Sequence, residues 1–113
     1  MRSQEKIIMN KYRNEFSAAK GFAEAIKDVF ENSKIYLFGS FAKGCPHEMS
    51  DIDVGIIVDD LRQYPINEYI KKDMAIAATI LDYDVRISRH IVGRKQDVTG
   101  FLQEIETTGI RLV

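Results

Sequence analysis

Two aspartates with one residue between them, Asp51 and Asp53, have the spacing in this chain that best suits chemistry. They begin a strongly apolar run that is typical of a β-strand. Because side chains alternate across a strand, both carboxylates project from one face, about 6.6 Å apart at roughly 3.3 Å per residue. Two like charges on one face repel each other unless a cation lies between them. The pair therefore predicts a site for a divalent metal ion.

A glycine–serine turn precedes the aspartates and predicts an anion-binding site. Gly39 and Ser40 follow the apolar segment 36–38, which reads as the end of a strand, and they open a short helix. The first N–H groups of a helix lack partners and its dipole is positive there, so phosphate binds readily. Gly39 lets the backbone approach an anion closely, and Ser40 adds a hydroxyl donor. Phosphate at this turn and metal at the aspartates together describe a nucleoside triphosphate bound through Mg²⁺.

The two motifs in this order resemble the signature of nucleotidyltransferases related to DNA polymerase beta. The resemblance is strongest to the small branch called minimal nucleotidyltransferases, abbreviated MNT. Their signature reads Gly-Ser-x-Ala-Arg/Lys-Gly, a loop, then Ser-Asp-hydrophobic-Asp-hydrophobic, with a third acid on a later strand. The chain matches both parts, over residues 39–44 and 50–54, and its segment 101–110 is similar to the closing helix and final strand of that branch.

The resemblance also implies a role for each of these residues. Asp51 and Asp53 would ligate two Mg²⁺ ions, and Gly39 and Ser40 would hold the terminal phosphates of the substrate ATP. Lys43, one helical turn beyond Ser40, would either touch the triphosphate or remain a solvated helix residue, and both interpretations stay open.

A third acid is expected on a later strand. The segment 82–88 alternates between polar and apolar residues, which predicts a half-buried strand with Asp82 and Asp84 on its polar face. By resemblance Asp84 is the expected third catalytic and metal-binding acid, because in the family this acid lies within a strand between apolar residues. Asp82 stays the competing candidate, and a strand-edge charge or a partner for Arg86 is the alternative role for either.

Hydrophobic periodicity predicts the elements that must position these residues. One helix is predicted from about residue 4 to 32, with a bend near Gly21, because apolar residues recur there at helical spacing. Pro65 suits the first turn of another helix. The predicted strands are 34–38, 51–58, 82–88 and 110–113, and the later helices run to about residue 80 and over about 97–107. This order implies an α/β fold, a small mixed sheet with helices packed on it, in which the middle helix joins parallel neighbours.

Composition limits the classes of function that the chain can serve. With 113 residues the chain suits one domain, expected over 1–113, and its net charge of −1 argues against a general nucleic-acid binder. The single cysteine, Cys45, cannot form an intramolecular disulfide and suits a reducing cytoplasm. The sequence contains no apolar run long enough to span a bilayer and no signal-peptide pattern, so we expect a cytoplasmic protein.

Further residues near the motifs are expected to be structural. His90 is interpreted as an exposed histidine at a strand end, and Gly55 as leaving room for a ligand or a neighbouring backbone on the aspartate face. A local basic cluster is interpreted as a solvated loop, or alternatively as a contact for phosphate or an acidic partner. Its members are Arg86, Arg89, Arg94 and Lys95.

The acceptor of the transferred nucleotide is the remaining question. Larger nucleotidyltransferases that resemble this chain carry an additional domain for the acceptor, and we expect no room for one here. The resemblance therefore implies a partner: MNT proteins are typically paired with an all-helical HEPN ribonuclease toxin, which they neutralise by moving AMP from ATP to a toxin tyrosine. Two alternatives stay open, a binding-only antitoxin and a homodimeric transferase acting on a small molecule such as an aminoglycoside.

Overall fold

The computed structural model of the chain describes residues 3–47 and 49–113 and contains five α-helices, one short 3-10 helix at Leu61–Gln63 and four strands within them. The helices are α1 Ser3–Lys11, α2 Arg13–Ile26, α3 Gly39–Ala42, α4 Ile66–Ile80 and α5 Phe101–Thr108. The strands are β1 Lys34–Phe38, β2 Ile52–Val58, β3 Ile87–Gly93 and β4 Ile110–Arg111. None of the described helices has the length and apolar character needed to cross a membrane. The predicted α/β fold is confirmed.

The four strands form one mixed sheet in the order β3-β2-β1-β4. β1 lies antiparallel to both β2 and β4, whereas β2 and β3 are parallel. A parallel pair requires a crossover, because the chain must return to the same end of the sheet before the second strand begins. α4 lies within the connection between β2 and β3, so the predicted parallel pairing across this helix is confirmed.

The strand β2 separates the main core from the opposite face of the sheet. Its core-facing side chains are at most 1% exposed, and they are Ile52, Val54, Ile56 and Val58. The alternate residues face the other way, where Ile57 packs in a smaller apolar cluster with Ile105 of α5. Asp53 belongs to this second set, because residues two positions apart in a strand share a face.

The predicted N-terminal helix is wrong in its bounds. Instead of one helix bent near Gly21, the chain forms α1 and α2 with a break at Tyr12, whose dihedral angles (φ −115°, ψ 51°) are not helical, and α2 ends at Ile26. Gly21 lies inside α2, where its missing side chain makes room for an aromatic ring. A Cβ at this position would lie 2.7 Å from Cε1 of Tyr83.

The predicted strand over 82–88 is also wrong, because β3 starts only at Ile87. The preceding residues extend α4 as a series of turns, in which N–H groups donate to carbonyl oxygens three or four positions earlier. The carboxylate of Asp84 accepts a hydrogen bond of 2.9 Å from the backbone N–H of Arg86, a local bond that favours a turn over a strand. Asp82 and Asp84 therefore lie before the strand and not within it.

An ion pair between α4 and β3 holds the crossover against the sheet. The Nε and Nη2 groups of Arg89 donate to the two carboxylate oxygens of Asp73, at 2.8 and 3.1 Å. These bonds lower the pKa of Asp73 from the ordinary value of 3.8, although burial acts in the opposite direction. The pair is therefore more stable in the folded chain when Asp73 is ionised.

We expect Asp73→Asn to lower the free energy of unfolding by about 1 kcal/mol at pH 7, the loss typical of a bidentate arginine pair near the surface. A carboxyl whose pKa is lowered by folding stabilises the fold above its unfolded-state pKa, and this contribution is lost as the pH falls through the folded-state pKa. The difference from wild type should therefore shrink progressively below pH 3.8 in urea unfolding. Asp59→Asn, at an exposed position, is the control, and a difference that is independent of pH would contradict the prediction.

Candidate active site

The glycine–serine turn and the second aspartate meet at one end of the sheet. Phe38, the last residue of β1, lies opposite Asp53 of β2 in the antiparallel ladder. Gly39 follows with a φ of +74°, and a Cβ there would overlap Oδ2 of Asp53. Glycine is needed here for two reasons, since positive φ disfavours a side chain and the carboxylate occupies the space that a Cβ would fill. The predicted phosphate-binding turn and a predicted metal-binding carboxylate are therefore adjacent.

The buried side chains of the short helix α3 anchor this turn. Phe41 and Ala42 are buried, and the ring of Phe41 packs edge-on against Tyr12 with centroids 5.5 Å apart. Ser40 is half-buried at the start of the helix. The ammonium group of Lys43 lies 3.6 Å from a carboxylate oxygen of Glu104 in α5. Lys43 is thus paired, and its contact with a triphosphate stays a prediction.

The predicted acids occupy different environments. Asp51 is exposed one residue before β2, whereas Asp53 is half-buried within it. The carboxylate of Asp84 receives Nε and Nη2 of Arg86 at 3.1 and 2.8 Å, and these hydrogen bonds lower its pKa. Over residues 3–47 and 49–113, no three His, Cys, Asp or Glu side chains gather into a group that could hold a metal ion. The structure therefore does not bring Asp84 to the other two acids, and its role as third ligand stays a prediction.

The residues that do lie beside Asp53 on β3 are Ser88 and His90. In the parallel ladder Asp53 is opposite Ser88, and His90 is two residues further on the same face. Nε2 of His90 lies 3.2 Å from Oδ1 of Asp53 and 3.3 Å from Oγ of Ser88. The interpretation of His90 as an exposed strand-end residue is wrong, because its half-buried ring reaches across to the carboxylate. If the bounds of β3 had been predicted correctly, the contact of His90 with Asp53 would have been predicted as well.

Two phenylalanine rings hold the imidazole of His90 in place. The ring centroid of Phe38 lies 5.0 Å away at an interplanar angle of 72°, and that of Phe101 lies 6.2 Å away at 66°. These two rings also contact each other edge-on at 5.5 Å. Phe101 is the first residue of α5, so the position of this helix helps to fix the position of the imidazole.

Gly55 accommodates α5 and not a ligand or a backbone segment. A Cβ at Gly55 would lie 3.3 Å from Cδ1 of Ile105 and 3.4 Å from Cε1 of Phe38. These distances are short for a Cβ contact, so a side chain at this position would force the side chains of Ile105 and Phe38 to shift. The glycine therefore sets how closely α5 approaches the face that carries Asp53.

The four basic residues that follow the crossover do not form a shared cluster, because each has its own acidic partner. The pairs are Arg86 with Asp84, Arg89 with Asp73, Arg94 with Glu106 and Lys95 with Asp59. The prediction of a solvated loop is wrong for Arg89, which lies in β3 and is only 32% exposed. Within the described residues, the three guanidinium groups among them each pair with a different carboxylate.

The donor set around the turn suits a hard cation with a bound polyphosphate. Carboxylate oxygens are the protein ligands that Mg²⁺ prefers, and this ion usually completes its shell with water and phosphate oxygens. The space kept free by Gly39 allows backbone and carboxylate to approach the same ligand. A mixed sheet that carries a glycine turn against a strand aspartate is the arrangement that the nucleotidyltransferase motifs predict for this chain.

Comparison with known proteins agrees with this class. Residues 24–113 match the family described as Polymerase beta, Nucleotidyltransferase. The chain belongs to this family, and the resemblance seen in its motifs is confirmed. A protein of Methanocaldococcus jannaschii that bears the name putative protein adenylyltransferase is 34% identical over 94 residues, which cover 82% of this chain and 89% of the relative.

Two solved structures are similar in fold. One is a toxin–antitoxin with AMP-PNP, which superposes with a TM-score of 0.56 at 25% identity and covers 83% of this chain and 72% of that chain. The other is a putative nucleotidyltransferase from Sulfolobus solfataricus, with a TM-score of 0.60 over 98% of this chain and 87% of that chain. The second is 14% identical, so it supports the fold alone.

Proposed function

We propose that this nucleotidyltransferase moves AMP from ATP to a hydroxyl group of a partner toxin and thereby acts as an antitoxin. The partner would be an all-helical ribonuclease of the HEPN class, and the acceptor a tyrosine, as the MNT resemblance implies. The observation that carries the proposal is that the carboxylate of Asp53 occupies the space that a Cβ of Gly39 would fill, which sets the predicted phosphate-binding turn beside a predicted metal ligand. The name of the M. jannaschii relative and the toxin–antitoxin neighbour with AMP-PNP add support.

In this proposal the chain positions the nucleotide and a metal. Gly39 and Ser40 bind the terminal phosphates, Asp51 and Asp53 hold Mg²⁺, and Lys43 exchanges Glu104 for the triphosphate. Two Mg²⁺ ions, when bound, stabilise the attacking and leaving oxygens of the displacement. Asp84, the predicted third acid, is held by Arg86 and would have to release it before it could reach the metal.

The proposed transfer is a single displacement at the α-phosphorus. The acceptor hydroxyl oxygen forms a bond to this phosphorus while the bond from the phosphorus to the oxygen that bridges to the β-phosphate breaks. Pyrophosphate leaves with the electron pair of the broken bond, and the hydroxyl proton passes to solvent. AMP stays on the acceptor through a phosphodiester, and positioning with charge stabilisation supplies most of the rate enhancement.

A binding-only antitoxin is the second candidate, and one observation favours it. Both carboxylate oxygens of Asp84 are engaged by Arg86, so the predicted set of three acids is not assembled. A chain that neutralises a toxin by covering it would not need that set.

The test incubates the purified chain with ATP labelled at the α-phosphate, Mg²⁺ and the protein encoded beside it. We expect label on that protein, located on a tyrosine by mass spectrometry, and no label when the γ-phosphate carries the isotope. A tight complex without label would contradict the transfer and support the binding-only antitoxin. Label only on an added aminoglycoside would contradict the toxin as acceptor and support a small-molecule transferase.

A further inference from the structure

We propose that His90 is a metal ligand of this site and takes the place of the expected third acid. The imidazole would bind the ion through Nε2 beside Oδ1 of Asp53. This assignment rests on the proposed nucleotidyl transfer and deepens it, because it adds a catalytic residue and changes which metal the site prefers.

The position of His90 in the sheet supports its assignment as a metal ligand. β3 is the parallel neighbour of β2, and its segment Ile87–Gly93 contains no aspartate or glutamate. The only polar side chains that β3 presents on the same face as Asp53 are Ser88 and His90. An acid expected on this strand is therefore replaced by an imidazole and a hydroxyl.

The distance between the two atoms that would bind the ion also supports the assignment. Nε2 of His90 and Oδ1 of Asp53 are 3.2 Å apart. Two neighbouring ligand atoms of one ion, with bonds of about 2.1 Å, are about 3.0 Å apart in an octahedral shell and about 3.4 Å apart in a tetrahedral one. The observed separation lies between these values, so the distance between the two atoms is compatible with one shared ion. Asp51 is exposed, and its side chain would have to move toward the ion to complete the set of protein ligands.

The rigid placement of the imidazole ring of His90 is a further feature that suits a metal ligand. Phe38 and Phe101 pack edge-on against the imidazole from two elements, the end of β1 and the start of α5. A ligand whose rotamer is fixed by packing loses little entropy on binding and holds the ion in one place.

The chemistry of imidazole predicts a changed metal preference. A neutral nitrogen donor suits transition metals better than Mg²⁺, which prefers carboxylate, carbonyl and water oxygens. With His90 in place of a third aspartate, the ligand set carries two negative charges and not three, which weakens its attraction for a hard cation. The site should therefore select Mn²⁺ over Mg²⁺ more strongly than three carboxylates would.

The direct test uses Mn²⁺ as a spectroscopic probe on the full chain, with an ATP analogue that has a methylene group between the α- and β-phosphorus atoms. Pulsed electron paramagnetic resonance detects a nitrogen nucleus bound to Mn²⁺. We expect this nitrogen coupling in the wild type and its loss in both His90→Asp and His90→Gln. The chain has two histidines, so His47→Gln is the matched control and should keep the signal.

A second measurement compares the dissociation constants of Mn²⁺ and Mg²⁺. We expect His90→Asp to shift the ratio of the two constants about tenfold toward Mg²⁺, at least as much as the loss of a hydrogen-bonding partner of a metal ligand typically costs in affinity. An unchanged ratio, or a wild-type Mn²⁺ complex without nitrogen coupling, would overturn the assignment and leave His90 as a hydrogen-bond donor to Asp53.

The two proposals fail in different ways. Label transfer to the partner without nitrogen coupling overturns the role of His90 and leaves the transferase intact. Nitrogen coupling without label on any acceptor overturns the transfer and leaves the metal ligand. A chain that binds no Mn²⁺ with the nucleotide overturns the assignment of His90 whatever the labelling experiment gives.

Discussion

Asp53→Asn is expected to lower the rate of AMP transfer at least about 1,000-fold while the fold stays intact. Oδ1 of this carboxylate faces His90, and its Oδ2 lies against the turn at Gly39, so one side chain links the proposed metal site to the proposed phosphate-binding turn. A neutral amide removes the charge that balances the metal ion. Metal ions contribute several kcal/mol of charge stabilisation, and each factor of ten in rate corresponds to about 1.4 kcal/mol.

The measurement is the initial rate of label transfer from ATP labelled at the α-phosphate. Asp59→Asn is the matched control, because it removes the same charge one residue beyond the opposite end of β2, where the side chain is 71% exposed. The control should keep the wild-type rate, and both variants should unfold in urea within about 1 kcal/mol of wild type, as surface and partly exposed substitutions usually do. Transfer by Asp53→Asn at a tenth of the wild-type rate would contradict the assigned role.

Gly39→Ala is expected to lower transfer about 100-fold and the free energy of unfolding by about 1–3 kcal/mol. The backbone cost arises because residues other than glycine are strained at a φ of +74°. The loss of transfer has a second cause, since the methyl group would push the carboxylate of Asp53 away from the turn. A displacement of about 1 Å in a positioned group can cost a factor of about 100 in rate.

Gly100→Ala separates these two causes. Gly100 has a φ of +82°, close to that of Gly39, but a Cβ there would meet nothing within 4 Å. It should show the stability loss and keep both the transfer rate and the affinity for ATP, measured by urea unfolding, label transfer and titration calorimetry. Equal losses of transfer in the two variants would mean that backbone strain alone explains the effect, against the contact proposed here.

The elements that local patterns specify were predictable from the sequence. β1 has the predicted bounds Lys34–Phe38, and α4 runs over Ile66–Ile80 directly after Pro65, as expected from the fixed φ of proline. The apolar run after Asp51 forms β2 because a strand with one face in the core needs apolar residues at every second position.

The errors occurred where a local bond or a distant contact decided the structure. The alternation over 82–88 is typical of a strand, but the side chain of Asp84 bonds the backbone of Arg86 and holds a turn. The strand therefore starts at Ile87, and the residues that lie beside Asp53 differ from the predicted ones. His90 was missed for this reason, because its contact depends on the pairing of two strands whose opposite residues, Asp53 and Ser88, are 35 positions apart in the sequence.

One face of β2 packs in the core and the other carries Asp53, so the length of this strand can change little during evolution. Inserting or deleting one residue before Asp53 would turn every later side chain of the strand to the opposite face, so that this acid would enter the apolar interior. Such a change would destroy folding and chemistry together, with no intermediate in which one survives without the other. Length variation among relatives should therefore be confined to the connections on either side of the strand.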